Sequence, residues 1–266
     1  MILNDIILQK RKDLVELKER LPLHRLQRIV EASSRPPARS FLNAITASRN
    51  INIIAELKKA SPSHGLIRED FQPLRIASLL EFAGACAISV LTESHFFKGR
   101  PSYLKTVRQV TTIPLLRKDF ILDRYQVYES AILEADAFLL IASILTEQEL
   151  KELIDLGRQL GMDALVEIHA AEDLKKAVDA GARIIGINNR NLKTLEIDPL
   201  SAKNLLPQVP KGTPVVIESG LGTHDELMMY KSLGANAFLV GTSLMKSPDI
   251  VEALQKLKKG TGRETL

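Results

Sequence analysis

Six short polar stretches hold the side chains that could do chemistry, and each sits at the end of an apolar run. Glu56 and Lys58 stand two apart, and Arg117-Lys118-Asp119 closes another run. Glu167 and His169 are again two apart, followed further along by Asn188-Asn189-Arg190, Glu218-Ser219-Gly220 and Gly241-Thr242-Ser243. On a strand, residues two apart share a face, so Glu56 and Lys58 point the same way. Carboxylates and ammonium groups can take and give protons, and a lysine can instead form an imine when its amine is neutral. Glu56 and Lys58 alone read equally well as a structural ion pair, and a lone Glu167 or Lys118 reads more often as a rim residue than as a catalyst. Their recurrence at successive run ends favours convergence on one site, because burying unpaired charges is costly. Gly220-Leu221-Gly222 and Gly241-Thr242-Ser243 add two glycine loops whose backbone N–H groups could hold a phosphate.

The apolar runs must position these groups. Eight of them, at 51–57, 87–91, 113–116, 137–142, 164–168, 184–187, 214–217 and 237–240, are short, β-branched and continuous rather than alternating, as strands buried on both faces are. Helical patterns lie between them, among them 74–82, 124–134, 147–160, 172–180 and 224–233. Gly84, Gly181 and Gly234 each stand just before a run, where a left-handed helix cap is expected. Asp123, Thr146, Thr223 and Ser247 are expected N-caps, with Pro248 at a first helical position.

Eight strand–helix units in this length predict a (β/α)8 TIM barrel, whose active site lies at the C-terminal ends of its strands. No Gly-x-Gly-x-x-Gly turn follows the first run, which argues against a doubly wound open sheet. Two helical patterns, 3–20 and 23–32, precede the barrel and end at Ser33-Ser34-Arg35-Pro36-Pro37. The expected organisation is an N-terminal helical extension over 1–48 and a catalytic barrel over 49–266. Pro36-Pro37 should separate the two and let the extension pack over the barrel mouth.

With 266 residues, 45% hydrophobic and 26% charged, the chain is an ordinary globular one; disordered, collagen-like and long coiled-coil classes are excluded. The net charge of +4 comes without a clustered basic stripe, so nucleic acid is not an expected partner, and a small anionic substrate fits it. No run is long enough to span a bilayer, and no signal-peptide pattern opens the chain. Cys86 is the one cysteine, and His24, His64, His95, His169 and His224 are scattered. That usage predicts a reducing, cytoplasmic setting and no metal site.

The run ends also carry a resemblance. Ile54-Ala55-Glu56-Leu57-Lys58-Lys59-Ala60-Ser61-Pro62-Ser63, Leu116-Arg117-Lys118-Asp119-Phe120-Ile121, Leu165-Val166-Glu167-Ile168-His169, Ile185-Gly186-Ile187-Asn188-Asn189-Arg190 and Ile217-Glu218-Ser219-Gly220 resemble, in order, motifs of the indole-3-glycerol-phosphate synthase family of tryptophan biosynthesis. The resemblance extends to Val240-Gly241-Thr242-Ser243-Leu244-Met245. It implies ring closure of 1-(2-carboxyphenylamino)-1-deoxyribulose 5-phosphate to indole-3-glycerol phosphate, with loss of CO2 and water. No metal or organic cofactor is implied, and the chain is expected to act as a monomer.

By motif, the resemblance makes Lys118 the general acid and Glu167 the acid/base of the dehydration, oriented with Asn188. Lys58 would bind the substrate carboxylate or share the proton donation, and Glu56 and Glu218 would hold the lysines. Ser61, Gly220, Gly241 and Thr242 would bind phosphate, Ser219 would touch substrate, and Phe97 would wall an aromatic pocket. His64, Arg100 and Asn191 depart from the commoner family residues at their loop positions.

Two other classes fit parts of the pattern. A Schiff-base aldolase would use Lys118 or Lys58 as a neutral amine, whereas Glu56, Asp119 and Glu218 favour the ammonium form. A non-catalytic metabolite-binding barrel would keep the phosphate loops and lose Lys118 or Glu167, and both are present.

Overall fold

The structure is a computed structural model that describes residues 2–33, 38–47, 50–192 and 194–260; Pro36-Pro37 lies outside the described residues. The barrel strands are β1 (Ile53–Leu57), β2 (Ala87–Leu91), β3 (Leu115–Lys118), β4 (Ala137–Ile141), β5 (Asp163–Ile168), β6 (Ile184–Asn188), β7 (Val215–Glu218) and β8 (Ala237–Val240). They pair in parallel, each with its neighbours in sequence, and β8 closes on β1. The helices are α1 (Ile2–Arg20), α2 (Leu23–Ala32), α3 (Phe41–Thr46), α4 (Pro73–Phe82), α5 (Ser102–Arg108), α6 (Arg124–Ile132), α7 (Glu147–Gln159), α8 (Ala171–Asp179), α9 (Pro199–Leu205), α10 (His224–Ser232), α11 (Thr242–Lys246) and α12 (Ile250–Lys259). Among the described residues no helix is long and apolar enough to cross a membrane.

The strands are buried on both faces. Ile53, Ile88, Leu115, Phe138, Val166, Ile185, Val215 and Phe238 point outward into the layer beneath the helices. Ile54, Ala87, Leu116, Ala137, Leu139, Leu165, Ile184, Val216 and Leu239 fill the barrel interior. The period of two then dictates what lies above that apolar floor. Glu56 follows Ile54 by two, Lys118 follows Leu116, Glu167 follows Leu165, and Glu218 follows Val216, so all four ionisable groups enter the barrel just over the hydrophobic layer.

Helix ends follow the local signals. Thr146 and Thr223 open α7 and α10 with full capping boxes through Glu149 and Glu226, and Asp123 caps α6 by accepting from the Tyr125 N–H. Such a cap contributes about 1 kcal/mol. Gly84, Gly181 and Gly234 adopt φ of +89°, +82° and +108° after α4, α8 and α10, a conformation that a Cβ would strain.

Two expectations are corrected. β3 begins at Leu115 and ends at Lys118, two residues later than the apolar run at 113–116 suggests. Arg117 and Lys118 can stay in the strand because each finds buried partners, one outside the barrel and one inside it. Ser247 does not cap the last helix, and Pro248 is not its first residue. Asp249 is the cap, accepting from the Glu252 N–H at 2.9 Å, while the Ser247 hydroxyl donates to the Asp249 carbonyl.

The N-terminal helices close both ends of the barrel. α3, which no periodicity announces, pushes Phe41 and Ile45 fully buried into the interior cluster. Its Leu42 N–H donates to Asp163 Oδ2 at 3.0 Å; Asp163 begins β5, so α3 plugs the N-terminal end. α1 covers the opposite end, adding Leu3 and Ile6 to the same cluster. α2 lies along α6, where Leu14, Leu26 and Tyr125 form a small core and Lys18 pairs with Asp123 at 2.6 Å.

Candidate active site

At the C-terminal ends of the strands lies a cavity of about 490 Å³. Its wall contains the twelve residues to which the resemblance gives roles: Glu56, Lys58, Ser61, Phe97, Lys118, Glu167, Asn188, Glu218, Ser219, Gly220, Gly241 and Thr242.

Lys118 stands at the centre of the floor. Its Nζ lies 3.2 Å from Glu167 Oε2 and 3.2 Å from Glu218 Oε2. Both carboxylates are 1% exposed. Burial alone would favour the neutral amine, but Glu167 and Glu218, with Glu56 behind them, reverse this and hold the ammonium above the ordinary lysine range. The two glutamates diverge. Burial pushes Glu218 up to about 8, and the neighbouring Glu167 charge adds to this while Lys118 opposes it. Burial works against the Glu167 anion too, yet Lys118, His169 and the Asn188 hydrogen bond outweigh it and hold that carboxyl below its usual range. Asn188 Nδ2 donates to Glu167 Oε1 at 3.0 Å, and its own Oδ1 accepts from the Arg190 N–H, which fixes the amide.

Two glycines make room for this set. A Cβ on Gly186, in β6, would lie 2.5 Å from Glu218 Oε1, and one on Gly241 would collide with Glu56 Oε2. Gly241 therefore clears space for a carboxylate besides opening the loop after β8. Glu56 in turn accepts from Lys58 Nζ at 2.6 Å, and both side chains are largely buried.

The loop after β2 is held by a residue that the sequence reading passed over. The Glu93 carboxylate accepts from the backbone N–H groups of His95, Phe96 and Phe97 at 3.0, 2.7 and 2.9 Å. This turn brings the Phe97 ring to 6.2 Å from that of Phe120, at an angle of 40°. Ile2, Leu3 and Ile6 of α1 extend the same apolar wall.

On the other side, Ser219 and Gly220 both take left-handed φ, +65° and +71°. A serine there carries strain on the order of 1 kcal/mol, and Asn189 Nδ2 pins it by donating to the Ser219 carbonyl at 3.1 Å. Glu226 already accepts from the N–H groups of Gly222 and Thr223, at 2.9 Å each, so that part of the loop serves the capping box of α10. Arg68 braces α11 from below, donating to the carbonyls of Met245 and Ser247 at 3.0 Å.

Two of the five scattered histidines reach the site. His169 Nε2 lies 3.3 Å from Glu167 Oε1. His64 lines the cavity, where burial and then the charges of Lys246, Arg190 and Lys58 lower its pKa. Arg190, also on the wall, donates to the Leu195 carbonyl at 2.6 Å. The spacing of Glu167 and His169 was the available signal for the first of these, since both follow from one strand face.

The cavity thus combines a buried ammonium flanked by carboxylates of different proton affinity, an aromatic wall, and two loops with backbone turned toward it. Comparison with known proteins agrees with that chemistry. A family model described as indole-3-glycerol phosphate synthase matches residues 3–257. The indole-3-glycerol phosphate synthase of Sulfurimonas denitrificans is 48% identical over 263 residues, covering 98% of this chain and 100% of that protein. That of Campylobacter curvus is 46% identical over 262 residues, with 98% and 100% covered. Among solved structures, KGPDC from Streptococcus mutans aligns with a TM-score of 0.62 over 79% of this chain and 96% of its own, at 14% identity. A thiamine phosphate pyrophosphorylase from Pyrococcus furiosus aligns at 0.57 over 79% and 94%, at 17% identity. At such identities these two speak for the barrel alone. Near-half identity from end to end is a different matter, and with the family match it decides the assignment: the chain belongs to the indole-3-glycerol phosphate synthase family.

Proposed function

We propose that the cavity closes the indole ring of 1-(2-carboxyphenylamino)-1-deoxyribulose 5-phosphate by general acid/base catalysis, with Lys118 as the acid. The observation that carries this reading is the Lys118 ammonium held between Glu167 and Glu218 on the cavity floor. The aromatic carbon bearing the carboxylate attacks the ketone carbon, forming the new C–C bond. The ketone oxygen takes a proton from Lys118 and becomes a hydroxyl. CO2 then leaves, and its bonding electron pair restores the benzene ring. In the last step Glu167 accepts a proton from the methylene carbon, while the hydroxyl departs as water on a lysine proton. One proton is consumed per turnover, matching the carboxylate charge lost with CO2.

The remaining groups follow from substrate charge. Lys58, paired with Glu56, faces the substrate carboxylate. Ser61, Gly220, Gly241 and Thr242 hold the phosphate through hydroxyl and backbone donors, with Ser219 beside them. Phe97 and the α1 residues cover the aromatic ring. An imine-forming lysine would need a neutral amine, and the Glu167 carboxylate 3.2 Å from Nζ opposes that state, joined by Glu218 once it ionises.

The test is the purified protein with this substrate, followed by the fluorescence of the indole product across pH. Product should form without added metal or organic cofactor, and kcat/KM should fall as pH rises through about 8. The sign follows from Glu218. Below that pH its carboxyl is protonated; above it, a second anion beside Lys118 tightens the hold on the proton and repels the anionic substrate. Glu218→Gln should flatten this alkaline limb. No product at any pH contradicts the function, and an unaltered limb in Glu218→Gln contradicts the assignment to that residue.

A further inference from the structure

Lys118 is flanked by Arg117, on the outward strand face, and Asp119, on the cavity wall, and neither belongs to the acid–base set. Arg117 and Asp119 are each 2% exposed. Asp119 Oδ2 accepts from Thr92 Oγ1 at 2.6 Å and from Arg117 Nη2 at 3.1 Å. Its Oδ1 accepts from the Phe120 N–H at 2.8 Å and pairs with Lys10 Nζ at 2.8 Å. Arg117 also pairs with Glu129 at 2.7 Å and donates to Ser130 Oγ at 3.1 Å. Two cations and two anions balance in this buried cluster.

Lys10 enters the cluster from α1. Its neighbours Arg11 and Lys12 are exposed, while Lys10 is 8% exposed; a lysine is rarely buried unless it is paired. It lies one helical turn beyond Ile6 and two beyond Leu3, both on the cavity wall. One ion pair therefore fastens the wall helix to the residue that follows Lys118. Burial opposes the Asp119 anion, and Lys10 is the largest influence that stabilises it, followed by Arg117, so its carboxyl stays well below the usual range.

We propose that Lys10 is a positioning residue for Lys118: through Asp119 it fixes the backbone from Lys118 to Phe120 and holds α1 against the cavity. The proposal rests on Lys118 being the acid, as above. Lys10→Met in the full chain should lower kcat by about 10-fold or more, a 1 Å misplacement being able to cost about 10²-fold. Lys10→Arg should recover most of that loss, because a guanidinium can remake the pair. A purely structural role would shift the melting curve and leave kcat per folded molecule alone. A Lys10→Met enzyme with unchanged kcat overturns the proposal, as does a Lys10→Arg enzyme as slow as Lys10→Met.

Should Lys10→Met not fold, the comparison moves to Asp119→Asn with and without Lys10→Met, where no buried carboxylate is left unpaired. Equal kcat in those two supports the proposal, and a faster enzyme with Lys10 present contradicts it. Lys118→Met is assayed alongside. Near wild-type turnover there removes the general-acid assignment itself, whereas an inactive Lys118→Met beside an unaffected Lys10→Met removes only the role of Lys10.

Discussion

Lys118→Met is expected to lower kcat by about 10²- to 10⁴-fold, the contribution of a positioned general acid, while leaving the barrel folded. Methionine keeps the unbranched stem and deletes the ammonium. The two glutamates left behind need not both ionise, since Glu218 already sits near 8 with the cation present. Removing the cation raises it further, so the carboxyl stays protonated at neutral pH and the buried charge is limited to Glu167. Lys58 and the loops proposed to hold the phosphate are untouched, and KM should change far less than kcat, the pattern of an interaction made in the transition state. Steady-state kinetics with circular dichroism of the folded variant check this. Turnover close to wild type makes Lys58 the acid.

Glu167→Gln is expected to be comparably slow, by about 10²-fold or more, but at a different step. Glutamine preserves shape and can still meet Asn188 and Lys118, which contact Glu167 at 3.0 and 3.2 Å. It cannot accept a proton. In the proposed mechanism condensation and decarboxylation need the Lys118 proton, whereas dehydration needs the base. A single-turnover experiment should therefore release up to one equivalent of CO2 per site while indole fluorescence lags behind it. CO2 and indole appearing together at the wild-type rate contradict the role given to Glu167. The two variants divide the reaction between two side chains that touch each other.

Much of this architecture is legible in the sequence, for identifiable reasons. Strands buried on both faces leave continuous apolar runs, so β2 and β8 coincide with the runs at 87–91 and 237–240. β3 was displaced because its last two residues are charged, and only their partners make them strand residues. α3 is six residues long and shows no period, although Phe41 and Ile45 plug the barrel. The twelve candidate residues share one wall because each lies on an inward strand face or in the segment just after a strand, Thr242 opening α11 there. What a linear reading could not supply is distance across the barrel. Glu167 and Glu218 come from β5 and β7, yet both contact Lys118 of β3. Glu93 and Lys10 were invisible for the same reason, since a buried Glu93 looks like a loop carboxylate and Lys10 sits in a run of three cations. Ser247 misled because Ser-Pro is a strong helix-start signal, and Asp249 two residues on satisfies the cap better.

The protonation state of Lys118 is the point on which the mechanism turns. Intact protein mass after reaction with substrate in the presence of borohydride reads it directly, because borohydride reduces an imine to a stable amine. A lysine kept as its ammonium by Glu167 and Glu218 forms no imine, and the mass should equal that of the untreated chain. A mass increase corresponding to reduced substrate, mapped to Lys118 or Lys58, would instead show a neutral nucleophilic amine and contradict acid/base ring closure by an ammonium.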